Sequence, residues 1–300
     1  MAYQLQPPRL ERTVRVAADR ELGIAEYGPE DGKPILWFHG TPGAKRQVPP
    51  AVRDCVDDLG VRVICVERPG TGQSTRHLYP EVRAFADDIA VLADELGLER
   101  FGLIGLSGGG PYVLAVAHEL PDRVTGAVVL GGVAPTVGDE TPGGGLVDLT
   151  RLFRHPLNLA RWGLGVAATT LIRVLRPVGP QALQLYSMIS PEGDREAFAS
   201  PGMSEMFLDD LNRAAAKGGL AAATLDIVLF GRSWGFSVSE IKVPVRFWHG
   251  DSDHIVPVDH ARHLCELVPY SELHVRPGES HLGTLVVGDE AVRTVVDLWS

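Results

Sequence analysis

The pentapeptide Gly105-Leu106-Ser107-Gly108-Gly109 sets a serine between two apolar runs. Upstream, Arg100–Ile104 reads as a short buried strand. Downstream, Pro111–His118 reads as a helix with proline in its first turn. A serine held at a sharp strand-to-helix turn is a candidate nucleophile. The glycines have a mechanical reason, because such a turn strains the serine backbone and neighbouring Cβ atoms would collide. A serine nucleophile needs a base, and the base needs an acid to orient it. The apolar run Val243–His249 leads into Gly250-Asp251-Ser252-Asp253, and Glu272–Arg276 leads into Pro277-Gly278-Glu279-Ser280-His281. Both segments follow strand-like runs. An acid, Asp251 or Asp253, and the base His281 would therefore reach the sheet edge that holds Ser107. With 34 glycines in the chain the pentapeptide alone is weak evidence; the case rests on its context.

The elements that would carry these residues follow an α/β rhythm. Arg12–Ala17 and Leu22–Tyr27 read as a hairpin, an antiparallel edge to the sheet. Pro34–His39, Val61–Val66, Val124–Leu130, Val243–His249 and Glu272–Arg276 read as further strands. Helical patterns stand between them at Gln47–Leu59, Glu81–Leu96, Asp259–Val268 and Gly288–Trp299, the second with apolar Val82, Phe85, Ile89, Leu92 and Leu96. Strands alternating with helices imply βαβ units and a mostly parallel central sheet flanked by helices. Continuous apolar strands fit a sheet covered on both faces. The rhythm breaks between Pro135 and Phe236, where helical patterns appear at Leu146–Phe153, Leu157–Leu175, Gln181–Ile189, Met203–Ala216 and Leu220–Phe230. We read residues 1–134 and 236–300 as the α/β core and 135–235 as an all-helical cap over the strand C-termini, where ligands bind in such sheets. Gly143-Gly144-Gly145 reads as a hinge into the cap. Its Trp162, Met188, Met203, Met206, Phe207, Phe230 and Trp234 are candidates to face an apolar pocket.

Composition narrows the function classes. The net charge of −10 and the lack of a basic tract argue against a nucleic-acid partner. The three cysteines, Cys55, Cys65 and Cys265, form no CxxC, so neither a disulfide framework nor a metal site is expected, and no cofactor. The N-terminal stretch lacks the apolar core of a signal peptide, which points by default to the cytoplasm. Leu157–Leu175 is interrupted by Arg161 and Arg173, so no stable membrane insertion is expected. Its apolar face could touch a lipid surface, but an ordinary cap helix is the simpler reading. The partner expected is a small-molecule substrate. Oligomeric state is not legible.

Taken jointly, the motifs resemble those of α/β-hydrolase fold enzymes of the capped serine esterase type. His39-Gly40-Thr41-Pro42-Gly43 is similar to the family's HGxPG oxyanion loop, and Arg68-Pro69-Gly70-Thr71-Gly72-Gln73-Ser74 to the turn after its fourth strand. Gly105–Gly109 is similar to the nucleophile elbow, and the serine, acid, histidine chain order matches. The resemblance implies Asp253 rather than Asp251 as the acid, by position. It implies Ser107 as nucleophile, His281 as general base and Asp253 as the group that fixes the imidazole tautomer. It also implies an oxyanion hole, with the N–H of Gly108 at the helix start as one donor. Pro42 has no N–H, so Thr41 is the best second donor, and its hydroxyl could be a third. Glu67 stands where relatives often carry Asp, and Ser280 where they often carry Gly; neither change removes a triad residue.

The reaction implied is hydrolysis of a carboxylic ester of small to medium, lipophilic character through an acyl-enzyme. Thioester, lactone, amide or C–C bond hydrolysis and acyl transfer use the same triad and stay open. A non-catalytic ligand-binding protein on the same fold is the alternative of another class.

Overall fold

In the computed structural model, which describes residues 3–142, 148–217 and 219–299, strands and helices alternate as far as the sixth strand. The order is β1 (Leu10–Ala17), β2 (Arg20–Tyr27), β3 (Lys33–Phe38), α1 (Pro50–Cys55), β4 (Val61–Val66), α2 (Phe85–Glu95), β5 (Phe101–Leu106), α3 (Gly110–Glu119) and β6 (Val124–Leu130). Five helices follow without a strand: α4 (Asp148–Leu175), α5 (Gly179–Ile189), α6 (Glu192–Ala199), α7 (Met203–Lys217) and α8 (Ala222–Phe230). The alternation then resumes with β7 (Val245–Gly250), α9 (Asp259–Leu267), β8 (Ser271–Arg276), α10 (Gly283–Val286) and α11 (Gly288–Asp297).

The eight strands form one sheet in the order β1-β2-β4-β3-β5-β6-β7-β8. β1 and β2 are an antiparallel hairpin, β2 joins β4 antiparallel, and β3 to β8 are mutually parallel. Strand alternation sorts side chains between two cores. Leu36, Phe38, Phe101 and Leu103 pack on one face with Phe85, Ile89 and Leu92 of α2. Ile35, Trp37, Ile104 and Leu106 pack on the other with Val52 of α1 and Val292 and Val295 of α11. All six residues of β5 are buried, as expected of a central strand covered on both faces. β3 leads outward to β4, and the chain then crosses back to place β5 on the other side of β3. That reversal is a topological switch point, the crevice where open α/β sheets bind ligands. The loops leaving β3 and β5 carry His39–Gly43 and Ser107.

Four local expectations change. The helix expected over Gln47–Leu59 is only Pro50–Cys55. Pro49 and Pro50 supply no N–H, and a residue before proline avoids helical ψ, so the helix starts at the second proline. The two helices expected before and after Pro156 are one helix, α4, with Pro156 inside. An internal proline removes one backbone bond and kinks a long helix without ending it. The break expected at Pro191-Glu192-Gly193 is instead the start of α6, with Glu192 and Asp194 in the first turn where the helix dipole favours acids. The short α10, just after His281, has no periodicity to announce it. The glycines expected to form a hinge at 143–145 lie outside the described residues.

Candidate active site

Ser107 sits at φ +49°, the one non-glycine with positive φ among the described residues. That left-handed conformation costs free energy for a residue with a Cβ and persists where surrounding structure enforces it. The enforcement is visible in the flanking glycines. A Cβ on Gly109 would collide with the Phe38 carbonyl of β3, and one on Gly105 with Val113 of α3. The elbow therefore packs hard against the neighbouring strand and lifts the serine hydroxyl off the end of β5.

Three of the predicted residues meet there. Ser107 Oγ lies 2.8 Å from His281 Nε2, and His281 Nδ1 lies 2.6 Å from Asp253 Oδ2. All three are buried. Asp253 Oδ1 accepts from the N–H groups of Ile255 and Val256 at 2.8 and 2.9 Å. His249 Nε2 adds a contact of 3.3 Å to Oδ2 and lies 2.7 Å from the Val256 carbonyl, which makes that nitrogen the protonated one. Burial alone would raise the Asp253 pKa. The hydrogen bonds from His249, His281 and Val256 outweigh it and hold the carboxyl well below its usual range. Asp253 is thus a fixed anion facing the imidazole. Asp251 is exposed and accepts from the Gly278 N–H at 2.8 Å, away from the histidine.

The loop His39–Gly43 lies against the elbow: a Cβ on Gly108 would collide with Thr41 Oγ1. Its Gly40 N–H donates to Gln47 Oε1 at 2.5 Å, and just past the loop those of Ala44 and Arg46 donate to the two oxygens of Asp210, each at 2.8 Å. Thr41 lies in the wall of the cavity beside Ser107. Its hydroxyl donates to Asp226 Oδ2 at 2.6 Å and accepts from Arg68 Nη2 at 2.9 Å. It is committed to those partners and is not a third oxyanion donor.

Asp226 was not singled out by sequence, although a lone acid inside the apolar run Ala221–Phe230 is a signal of a buried partner. From α8 it takes Arg68 through Nε and Nη2 (2.7 Å to Oδ2) and the Tyr112 hydroxyl at 2.6 Å. Arg68 in turn donates to the carbonyls of His39 and Gly40. His39 Nε2 accepts the Arg68 N–H at 3.2 Å, so it is a neutral, buried brace for the loop. Burial, with Arg68 alongside, drives its pKa well below the usual value.

Asp226 is one of several carboxylates that reach from the helical insert to the loops around Ser107. Asp194 of α6 accepts the Leu282 N–H at 2.7 Å and bonds Ser280, so it flanks His281 on both sides. Only glycine at 193 lets α6 come this close, since a Cβ there would lie 2.6 Å from the Ser280 nitrogen. Asp210 of α7 is another. Burial pushes it up to about 7 despite the two N–H donors that favour its anion. The folded state therefore retains a proton that the unfolded chain releases near 3.8. Its stabilisation is complete below that value and is lost as pH rises through about 7. Asp210→Asn cannot titrate, so the Tm advantage of wild type over the variant should narrow between pH 5 and pH 8. A gap that stays constant across that range would contradict the assignment.

A cavity of about 350 Å³ opens above Ser107 and His281. The insert supplies Leu183, Tyr186, Phe198, Phe207 and Leu211, and the core adds Ile255. No lysine, arginine, aspartate or glutamate stands among its described lining. Of the seven large residues expected to face such a pocket, only Phe207 does. Met203 and Met206 pack into the core beside α1 and α11, and Phe230 and Trp234 into the opposite one. Met188 is exposed, and Trp162 lies under the Arg76 guanidinium. Helical apolar residues were visible in sequence, but which neighbour each would meet was not.

The sequence matches the family described as alpha/beta hydrolase fold over residues 33–286. The chain is an α/β hydrolase. It is 26% identical over 270 residues to a bifunctional esterase/perhydrolase of Acinetobacter calcoaceticus, covering 87% of this chain and 89% of that protein. It is 28% identical over 280 residues to a 2-hydroxy-6-oxo-6-phenylhexa-2,4-dienoate hydrolase of Burkholderia cepacia, covering 89% and 87%. Among solved structures, a bromoperoxidase from Bacillus anthracis superposes on the hydrolase with a TM-score of 0.68 at 23% identity, over 96% of this chain and 100% of that one. At that identity the likeness speaks for the fold alone. Among the described residues of the hydrolase, no helix is long and apolar enough to cross a membrane.

Proposed function

We propose that this hydrolase cleaves carboxylic esters of small to medium, lipophilic substrates through an acyl-enzyme on Ser107. The observation that carries the reading is a hydrogen-bonded Ser107–His281–Asp253 chain opening into a cavity whose described lining holds no lysine, arginine, aspartate or glutamate. Ser107 Oγ attacks the carbonyl carbon while His281 Nε2 takes its proton. The N–H groups of Gly108 and Thr41 receive the oxyanion, and Asp253 stabilises the imidazolium. Collapse of the tetrahedral adduct breaks the ester C–O bond, and the imidazolium returns the proton to the departing alkoxide. Water then attacks the acyl-enzyme with His281 again as base, releasing the acid and restoring Ser107.

C–C bond hydrolysis of a dienoate, as the name of the Burkholderia relative describes, is the second reading. Such a substrate carries a carboxylate, and no lysine or arginine of the described lining could pair with it. Burying an unpaired carboxylate is costly, which favours the ester. A panel of esters graded in acyl length, run beside thioester, amide and ω-carboxylated analogues, tests this. kcat/KM should rise about fourfold per methylene while the chain still fits, from about 0.8 kcal/mol of burial each. The ω-carboxylated esters should be the poorest of the oxygen esters. A preference for the carboxylated analogues would refute the apolar-substrate reading.

A further inference from the structure

One surface of the insert is apolar and uncovered. Leu159, Val166, Leu171 and Val174 of α4 are 87, 52, 56 and 67% exposed. Their spacing of three to seven residues puts them within one half of the helix circumference. The opposite half is occupied. Gly165 abuts Ala221, where a Cβ would lie 2.8 Å from its side chain, and Thr169 Oγ1 accepts the Leu220 N–H at 3.1 Å. α5, next along the chain, also exposes Leu185, Met188 and Ile189, at 63, 66 and 78%. So many large apolar side chains exposed on two successive helices mark an interaction site. Helix α5 turns Leu183 and Tyr186 into the wall of the cavity, and Tyr186 is itself 44% exposed, so the surface adjoins the cavity's rim.

Charge identifies the occupant. Residues 149–190 contain five arginines and no aspartate or glutamate, +5 against −15 for the remainder of a chain of net −10. Arg176 is exposed just past the end of α4, and Arg173, exposed on α4, donates through Nε and Nη2 to the Ala215 carbonyl at 2.8 and 2.5 Å. A second copy of the chain meeting this face about a two-fold axis would set like charges together with no acid in the segment to pair them. An anionic bilayer offers both what the apolar stripe and what the arginines lack. We propose that the α4–α5 face docks the protein on anionic lipid surfaces, lying in the interface with the cavity rim against it. The docking rests on this surface alone; its use, drawing lipophilic esters from the bilayer, rests on the ester reading.

Co-sedimentation of the full chain with vesicles of equimolar phosphatidylglycerol and phosphatidylcholine, against pure phosphatidylcholine, tests it. Partitioning should be at least about tenfold stronger onto the anionic vesicles and weaken with added salt. The double variant L171E/V174E should lose roughly tenfold or more of that binding, while its Tm and its turnover of a water-soluble ester match wild type. Both replaced side chains are more than half exposed, so the fold does not depend on them. Absence of vesicle binding by folded wild type overturns the proposal, as does binding that L171E/V174E leaves intact. A wild-type dimer that this variant dissociates, without vesicle binding, overturns it in favour of a second copy. Absence of soluble-ester turnover or of fluorophosphonate labelling in the wild type would instead count against the ester reading and leave the vesicle result standing.

Discussion

Ser107→Ala is expected to lower kcat on any ester the wild type hydrolyses by roughly 10⁴–10⁶, with no comparable loss of stability. Ser107 Oγ has one polar partner in its relay, His281 Nε2, so alanine removes the nucleophile and leaves the buried frame intact. His281→Ala should cost a similar factor, and the double variant little more, because residues that act as one unit do not contribute additively. Asp253→Asn should cost about 10⁴ by a separate route. Asp253 Oδ2 fixes the proton on His281 Nδ1, leaving Nε2 as the acceptor for the serine proton. An amide can present N–H there and invert the tautomer. Single-turnover kinetics with a chromogenic ester and labelling by a fluorophosphonate probe check both claims. A loss below tenfold for Ser107→Ala, or undiminished labelling of that variant, would end the assignment. Asp253, held low by its hydrogen bonds, stays ionised well into acid and keeps its charge beside the imidazole.

The largest stability loss is expected at Asp226, which touches no substrate. Asp226 and Arg68 are 2 and 1% exposed. Removing one partner of such a pair leaves an uncompensated buried charge, at a cost of about 3–5 kcal/mol. For a chain of this size that corresponds to a fall in Tm of roughly 5–15 °C. Asp226→Ala also releases the Tyr112 and Thr41 hydroxyls and the guanidinium that braces the carbonyls of His39 and Gly40. The loop that carries the proposed oxyanion donor at Thr41 then loses its fixed register, so kcat should fall as well. The double replacement R68M/D226L separates the two effects. Apolar side chains of similar size remove the charge problem and should recover most of the stability. They cannot brace the loop, so kcat should stay low. Recovery of both, or a loss under about 1 kcal/mol for Asp226→Ala, would show that the pair does not hold the loop. Denaturant unfolding and ester turnover on the same preparations supply the two readouts.

Much of this architecture can be read along the chain because its signals are local. A strand covered on both faces announces itself as an apolar run, and β5 does so over all six residues. The elbow announces itself because Gly105 and Gly109 answer steric demands within a few residues of Ser107 and from the strand beside it. Asp253 and His281 follow directly on β7 and β8, so parallel pairing of those strands delivers both to one edge. Boundaries are less legible where a local rule admits two outcomes. Proline starts α1, lies inside α4 and precedes α6, according to which backbone groups have other partners.

The insert is where sequence reasoning reaches least far. Its apolar residues repeat with helical spacing, yet Met206 packs beside α11, Phe207 lines the cavity and Ile189 faces outward. Helical periodicity defines a face, and only the packing of the five helices decides what that face meets.

By itself, then, the sequence determined the parallel sheet, the strained serine turn and the loops that carry the acid and the histidine. Each depends on steric and hydrophobic rules that act over a few residues. Tertiary structure alone decided that Thr41 spends its hydroxyl on an aspartate 185 residues away, that Asp194 flanks the histidine, and that the described lining of the cavity holds no lysine, arginine, aspartate or glutamate. Those outcomes depend on which buried polar groups find one another once water is excluded, and no local pattern encodes that pairing.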